Sequence, residues 1–480
     1  MKALISLLAS AVVASLAATA ASAATFTIIN NDAAGVGFND PTVVAPVGGN
    51  TGTTLGQQRL NVYADAAAIW GAALPSNVDI RVRAQWTALT CTATSAVLGS
   101  AGSNSIFRDF PGAEFPSTWY GGALADKLSN TDQDPGVHDI NANFNINLGN
   151  AGCLTGSFFY LGLDANHGSN VDFETVLLHE LGHGLGFQTY ANGATGALQG
   201  GFADIFARNL RDVANARQWT DAAETNANRA ASSISGVGLI WTGTNTTNWA
   251  ATHLGKRPVL IITAPAPAAG SYFVGTASFG PALTAVPLAG TIVAAIDPDE
   301  MVTGSTTTDA CSALTNAAAI AGNIALVDRG VCGFTVKAAN VQAAGAIAMI
   351  VADNVAGVAP PPGLGGTDPS ITIPAVRILQ SDGVLIRANL PATGSLGLDP
   401  VLPAGANLAN QMFMYAPNPF QSGSSVSHFD TSATPNVLME PAINGDLTHN
   451  LSNEATLQVM TDIGWFRTPL PVQLTTFSVD

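Results

Sequence analysis

His179 and His183 stand four residues apart in the stretch VLLHELGHGLGFQTY, Val176 to Tyr190, with Glu180 between them. On an α-helix, residues four apart share a face, so both imidazoles can hold one ion while Glu180 stands beside it as a base. No other feature constrains the chain as much. It demands a helix here and sets which face looks at the ion. Asn170 or Asp172 can cap that helix, Glu174 falls in its first turn, and Gly184 and Gly186 can stop it. One question stays open. A catalytic zinc takes three protein ligands plus water, and the compact pattern H-E-x-x-H-x-x-G-x-x-H would put a third histidine where the chain has Thr189.

The rest of the chain sorts by periodicity. LGQQRLNVYADAAAIWGAAL places Leu60, Tyr63, Ala67, Trp70 and Leu74 on one stripe of a helix that Pro75 ends. NVDIRVRAQW alternates as a half-buried strand. HDINANFNIN alternates too, with Asn residues opposite Ile140, Ala142, Phe144 and Ile146, which reads as an edge strand near Asp139–Leu148 able to pair with an extended peptide. GFADIFARNLRDV reads as a short helix. Residues 24–254 are therefore expected to form a mixed α/β unit around the motif helix. After Leu254 the texture turns β-branched, Pro- and Gly-punctuated and poor in charge, marking a compact β-rich unit over 255–400. Residues 401–468 read as a loop-rich unit closing on a helix near Ser452–Ile463, and 469–480 as a tail.

Composition bounds the setting. The first 23 residues, MKALISLLASAVVASLAATAASA, combine one lysine, an apolar run and small residues, the pattern of a signal peptide cleaved before Ala24. No later stretch reaches the ~18 unbroken apolar residues of a spanning helix. The expected product is exported, periplasmic or extracellular, without a membrane span, and monomeric. A net charge of −16 argues against nucleic acid as a partner. Four cysteines suit an oxidising compartment. Of three pairings, Cys91–Cys153 with Cys311–Cys332 keeps each bridge within one unit. Asp132 and Asp134 in NTDQDPG carry part of a calcium-ligand pattern, although short acidic turns are more often simply solvated.

Five histidines lie outside the motif. His138 begins the expected edge strand and reads as surface. His167 is tethered just before the motif helix, His253 lies in a linker, and His449 reads as a cap neighbour of the last helix. His428, in GSSVSHFD, precedes Met439 of PNVLMEP.

HELGHGLGF, then a distant SHFD, then NVLMEP resembles the metzincin zinc peptidases, most closely their leishmanolysin-like branch. The resemblance implies an α+β fold, a metzincin-type catalytic domain of mixed sheet plus active-site helix. It implies His179, His183 and His428 as ligands of one catalytic Zn2+, Glu180 as general base and Met439 as the apolar floor beneath the metal. The departure is the 245 positions between His183 and His428. GNIALVDRGVCGFTVKAANVQAAGAIAMIVADN, within that gap, is similar to the protease-associated (PA) domain, an insert in which Cys311 and Cys332 could form a pinning disulfide. The expected activity is that of a secreted zinc endopeptidase acting on proteins or peptides. Two alternatives stand beside it: a peptidase of another clan with Asp204 or Glu224 as third ligand, and a non-catalytic secreted protein whose zinc is structural.

Overall fold

The computed structural model describes residues 22–467; nearly all of the expected signal peptide and the tail 469–480 lie outside the described residues. Helix α1 (Leu55–Ala73) starts where the Thr54 side chain accepts from Gln57 N and buries Val62, Tyr63, Ala66 and Trp70. Trp70 Nε1 donates to Leu178 O at 3.0 Å, fastening α1 to the motif helix.

Four strands form the first sheet: β1 (Phe26–Asn30), β2 (Ile80–Thr87), β3 (Gly99–Ser103) and β4 (Ile140–Asn145), in the order β1-β2-β4-β3. The stretch expected at an edge is thus interior, since β4 pairs parallel with β2 and antiparallel with β3. Its Asn side chains face other amides rather than water. Asn31 Nδ2 donates to Gln85 Oε1, Gln85 Nε2 to Asn143 Oδ1, and Asn143 Nδ2 to Ser100 Oγ. The true edge, β3, is Gly-Ser-Ala-Gly-Ser, which lacks the β-branched residues that announce a strand.

The motif helix α2 (Phe173–Gly184) packs against this sheet and α1. A Cβ on Gly184 would meet Ile140 Cγ2 at 2.4 Å, so only glycine lets the helix sit this close. The expected helix in GFADIFARNLRDV is instead a 3-10 turn, Ala207–Asn209, followed by strand Leu210–Asp212. Antiparallel pairing with Leu239–Trp241 overrides the local helical pattern.

The second sheet has eight strands: β5 (Lys256–Ala264), β6 (Gly270–Phe273), β7 (Gly275–Thr276), β8 (Leu288–Ala294), β9 (Ile324–Asp328), β10 (Ala348–Ala352), β11 (Ala375–Ile378) and β12 (Ala392–Pro403). Their order is β6-β5-β12-β8-β9-β10-β11-β7, with β8 through β11 parallel. Helices α3 (Phe334–Ala343) and α4 (Gln380–Arg387) supply crossovers. Ile324, Leu326 and Ile350 enter one core on one face, while Ala325, Val327, Met349 and Val351 enter another. Burial on both faces explains the unbroken apolar runs of β9 and β10. Strand β12 escaped the sequence reading because its glycines, where Gly394 and Gly397 closely approach Ile261 O and Pro287, look like a loop.

The chain on either side of this sheet shares one core. Trp70, Phe144, Phe173, Leu181 and Phe187 pack with Phe429, Met439, Val459 and Trp465. Helix α5 (Ala455–Ile463) completes it, and Trp465 Nε1 donates to Leu185 O at 2.9 Å. Both disulfides pair as expected, Cys91–Cys153 and Cys311–Cys332. Among the described residues, no helix is long and apolar enough to cross a membrane.

Candidate metal centre

Helix α2 ends in a Schellman turn. Phe187 N donates to Gly182 O, Gly186 N to His183 O, and Gly186 adopts φ 121°. This turn also leaves Phe187 O free to accept from His183 Nδ1 at 2.8 Å. His179 Nδ1 donates to Leu438 O at 2.7 Å, and His428 Nδ1 to Ser424 O at 2.8 Å. A carbonyl oxygen can only accept, so each Nδ1 carries the ring proton and each Nε2 presents a bare lone pair.

Those three Nε2 atoms converge. Every pair among His179, His183 and His428 lies 3.2 Å apart. With no proton between them the contacts repel, unless a cation occupies the centre. An equilateral triangle of that side puts each nitrogen about 1.8 Å from its centroid, near a Zn–N bond of about 2.0–2.1 Å, so the three side chains fit a zinc ion. Burial holds His179 down to about 4 and His183 down to about 3, and pushes His428 well below the usual imidazole range. All three are neutral at pH 7, the state a metal ligand needs.

Met439 is fully buried against the motif helix; a Cβ on Gly182 would come within 2.9 Å of its Sδ. Phe429 N donates to Met439 O at 2.8 Å, so the segments carrying His428 and Met439 are joined by backbone. Thr189 belongs to the scaffold: its N–H donates to Ser427 Oγ and its hydroxyl to Asp204 Oδ2. Asp204 also accepts from Tyr190 N and Ala207 N. Among the described residues, neither Asp204 nor Glu224 joins the histidine cluster.

Glu180 lies against the edge strand, where a Cβ on Gly99 would meet its carboxyl at 2.9 Å. Burial pushes it up to about 8, partly opposed by a backbone hydrogen bond from Ala101. The centre opens into a cleft of about 960 Å³ walled by residues 95–101, 422–428 and 440–447.

Other sequence-selected groups lie elsewhere. Asp132 accepts from Asp134 N and Asp134 from Ser105 Oγ. Among the described residues no cluster of three or more His, Cys, Asp or Glu ligand atoms includes either, so nothing here supports calcium over a solvated turn. His138 bonds to Asn141, and His253 stacks on Trp249. His449 directly precedes Asn450, which caps the turn leading into the last helix, and its ring lies between Asp172 and Glu174 at the start of α2. The backbone carbonyls that orient the three imidazoles left no trace in the sequence, because any residue type supplies one.

Residues 289–386 match the PA domain family. Two curated relatives are similar over a short stretch. ER degradation-enhancing alpha-mannosidase-like protein 3 of Xenopus laevis is 43% identical over 83 residues, 16% of this chain and 9% of the relative. Its Homo sapiens counterpart is 40% identical over 92 residues, 18% and 10%. The matches thus span about a tenth of these relatives. Among solved structures, the zinc aminopeptidase BSAP from Bacillus subtilis is 22% identical with TM-score 0.22, covering 32% of this chain and 35% of that one. The aminopeptidase from Aneurinibacillus sp. strain AM-1 is 20% identical with TM-score 0.21, covering 32% and 36%. Structural likeness of that size carries no argument about chemistry.

Proposed function

We propose that this chain is a secreted zinc-dependent endopeptidase of metzincin type, nearest the leishmanolysin-like branch. In this reading the catalytic domain comprises 24–254 and 401–468, and the β-rich unit 255–400 is inserted between its halves. The observation that carries the proposal is the meeting, beside Glu180, of the bare Nε2 atoms of three imidazoles that are each anchored through Nδ1 to a backbone carbonyl. Zinc held there would supply a Lewis acid for the scissile carbonyl and lower the pKa of a water to ~7. Glu180 is the proton carrier. Its carboxylate takes a proton from the attacking water and returns it to the leaving amine.

Substrate lies extended along the free edge of β3, not along interior β4, and pairs with backbone groups that no other strand uses. The cleft of about 960 Å³ in which the histidines lie has room for several residues of a peptide. A structural zinc site has no use for a buried base at Glu180, which weighs against the non-catalytic alternative.

One preparation assayed for zinc content and casein cleavage, before and after chelation, tests this. One zinc per chain is expected, with cleavage lost on chelation and restored by zinc. Stoichiometric zinc without hydrolysis of any protein would favour the binding-protein reading.

A further inference from the structure

The start of α2 holds a charge cluster that the proposed chemistry does not use. His449 Nε2 lies 2.5 Å from Asp172 Oδ2, and its Nδ1 lies 3.0 Å from Glu174 Oε2. Asp172 is 4% exposed and Glu174 fully buried. Asp172 Oδ1 and both carboxyl oxygens of Glu174 have no hydrogen-bond partner. His449 Nε2 donates to Asp172, and its Nδ1 faces Glu174 at ion-pair distance, so one imidazolium joins the two acids. Among the described residues, Asp65 on α1, and Tyr160, Asp164 and His167 from the segment before α2, are the other titratable groups around the cluster.

The bridge is long-range. His449 lies 277 positions from Asp172 and closes a stretch, residues 441–450, that contains neither helix nor strand. That stretch includes most of one wall of the cleft, Glu440–Leu447. Its beginning is fixed where Leu438 N donates to Glu454 Oε1 at 2.7 Å and Leu438 O receives His179 Nδ1. Its end has His449.

We propose that His449 is a positioning residue that latches the cleft wall Glu440–Leu447 onto the start of the motif helix and so sets the width of the substrate cleft. The proposal rests on the peptidase reading for its consequence but not for the latch itself. Losing the imidazolium leaves two buried carboxylates facing each other, and the wall swings free while the three zinc ligands stay in place.

Hydrogen exchange on the full chain, with zinc bound, tests the latch directly. In His449→Gln, which is neutral, amides of 440–450 should exchange roughly tenfold faster while those of α2 hold. His449→Arg, whose planar fork can span two carboxylates, should restore protection. In the casein-peptide assay His449→Gln should raise KM roughly fivefold with kcat within about twofold, at unchanged zinc content. Unchanged exchange in folded, zinc-loaded His449→Gln would overturn the latch; wild-type protein that hydrolyses nothing would overturn the peptidase reading alone. Should His449→Gln fail to fold, nitrogen chemical shifts of wild-type His449 at pH 8 still decide, with protonation at both ring nitrogens expected and a neutral ring contradicting it.

Discussion

The eight-stranded sheet and the region around the cleft treat buried charge differently. In the sheet unit, several charged side chains have an opposite charge or a backbone acceptor close by. Asp353 lies between Arg329 and Arg377, Arg387 pairs with Asp328, and fully buried Lys337 donates to Asp309 O. Around the cleft, three imidazole lone pairs face one another and Glu180 sits buried without a cationic partner among the described residues. Paired charge is what a stable scaffold needs; buried polar groups that only an outside ion can reconcile mark a site. The contrast assigns scaffolding to the sheet and chemistry to the cleft, and it can be broken.

The largest expected effect is at Glu180. Glu180→Gln should lower kcat by roughly 10²–10⁴-fold with zinc retained, since it removes a proton carrier and no ligand. Hydrolysis within a few-fold of wild type would remove Glu180 from the chemistry and blur the contrast.

Stability should separate the regions next. Ile350→Ala, in the doubly covered β10, should cost about 2–5 kcal/mol in calorimetric unfolding of the sheet unit. Zinc content should be untouched, because the histidines and their carbonyl anchors lie in the other core. Loss of zinc in folded Ile350→Ala would show that the two regions are not separable. A smaller change, Gly182→Ala, should cost about 1–3 kcal/mol and weaken zinc binding, because the new methyl displaces Met439. Unaltered zinc affinity in a competition titration would deny Met439 its role as floor.

pH gives the smallest effect and sharpens the comparison. Burial opposes the charge on His449, but hydrogen bonds to Asp172 and Glu174 outweigh it and raise the imidazole from 6.5 to about 10. Its stabilising contribution is therefore complete below pH 6.5 and lost as pH rises through 10. Asp172 is opposite in sign. Burial works against its charge, yet His449 and Thr175 hold its pKa below 3.8, so its contribution is present above that value and lost in acid. Protection of residues 440–450 should decline from pH 6.5 toward 10 in wild type and show no such decline in His449→Gln. Parallel profiles would show that another group controls the wall.

Much of this could be read from the chain. The periods of α1 and β2 are strong because each buries a regular set of side chains, and β9 and β10 stand out as short unbroken apolar runs. His179, Glu180 and His183 are near in sequence and so announce themselves. His428 is different: nothing in periodicity ties it to position 183, and only the resemblance to metzincins singled it out. The edge role of β3 was hidden by its small residues, and that of β4 misassigned because an Asn ladder mimics a solvated face. The ring partners of His449, Asp172 and Glu174, escaped the reading because they lie across the fold.

The central claim is that two distant segments build one metal site. Zinc affinity of His428→Ala, set beside that of His183→Ala in a competition titration, tests it most directly. Changes to outer partners alone account for about 10–100-fold, so loss of a ligand should exceed about a hundredfold in both variants. His138→Ala, His167→Ala, His253→Ala and His449→Ala should keep one zinc per chain. Stoichiometric, tight zinc in His428→Ala, with its loss in His167→Ala or Asp204→Ala instead, would contradict the account.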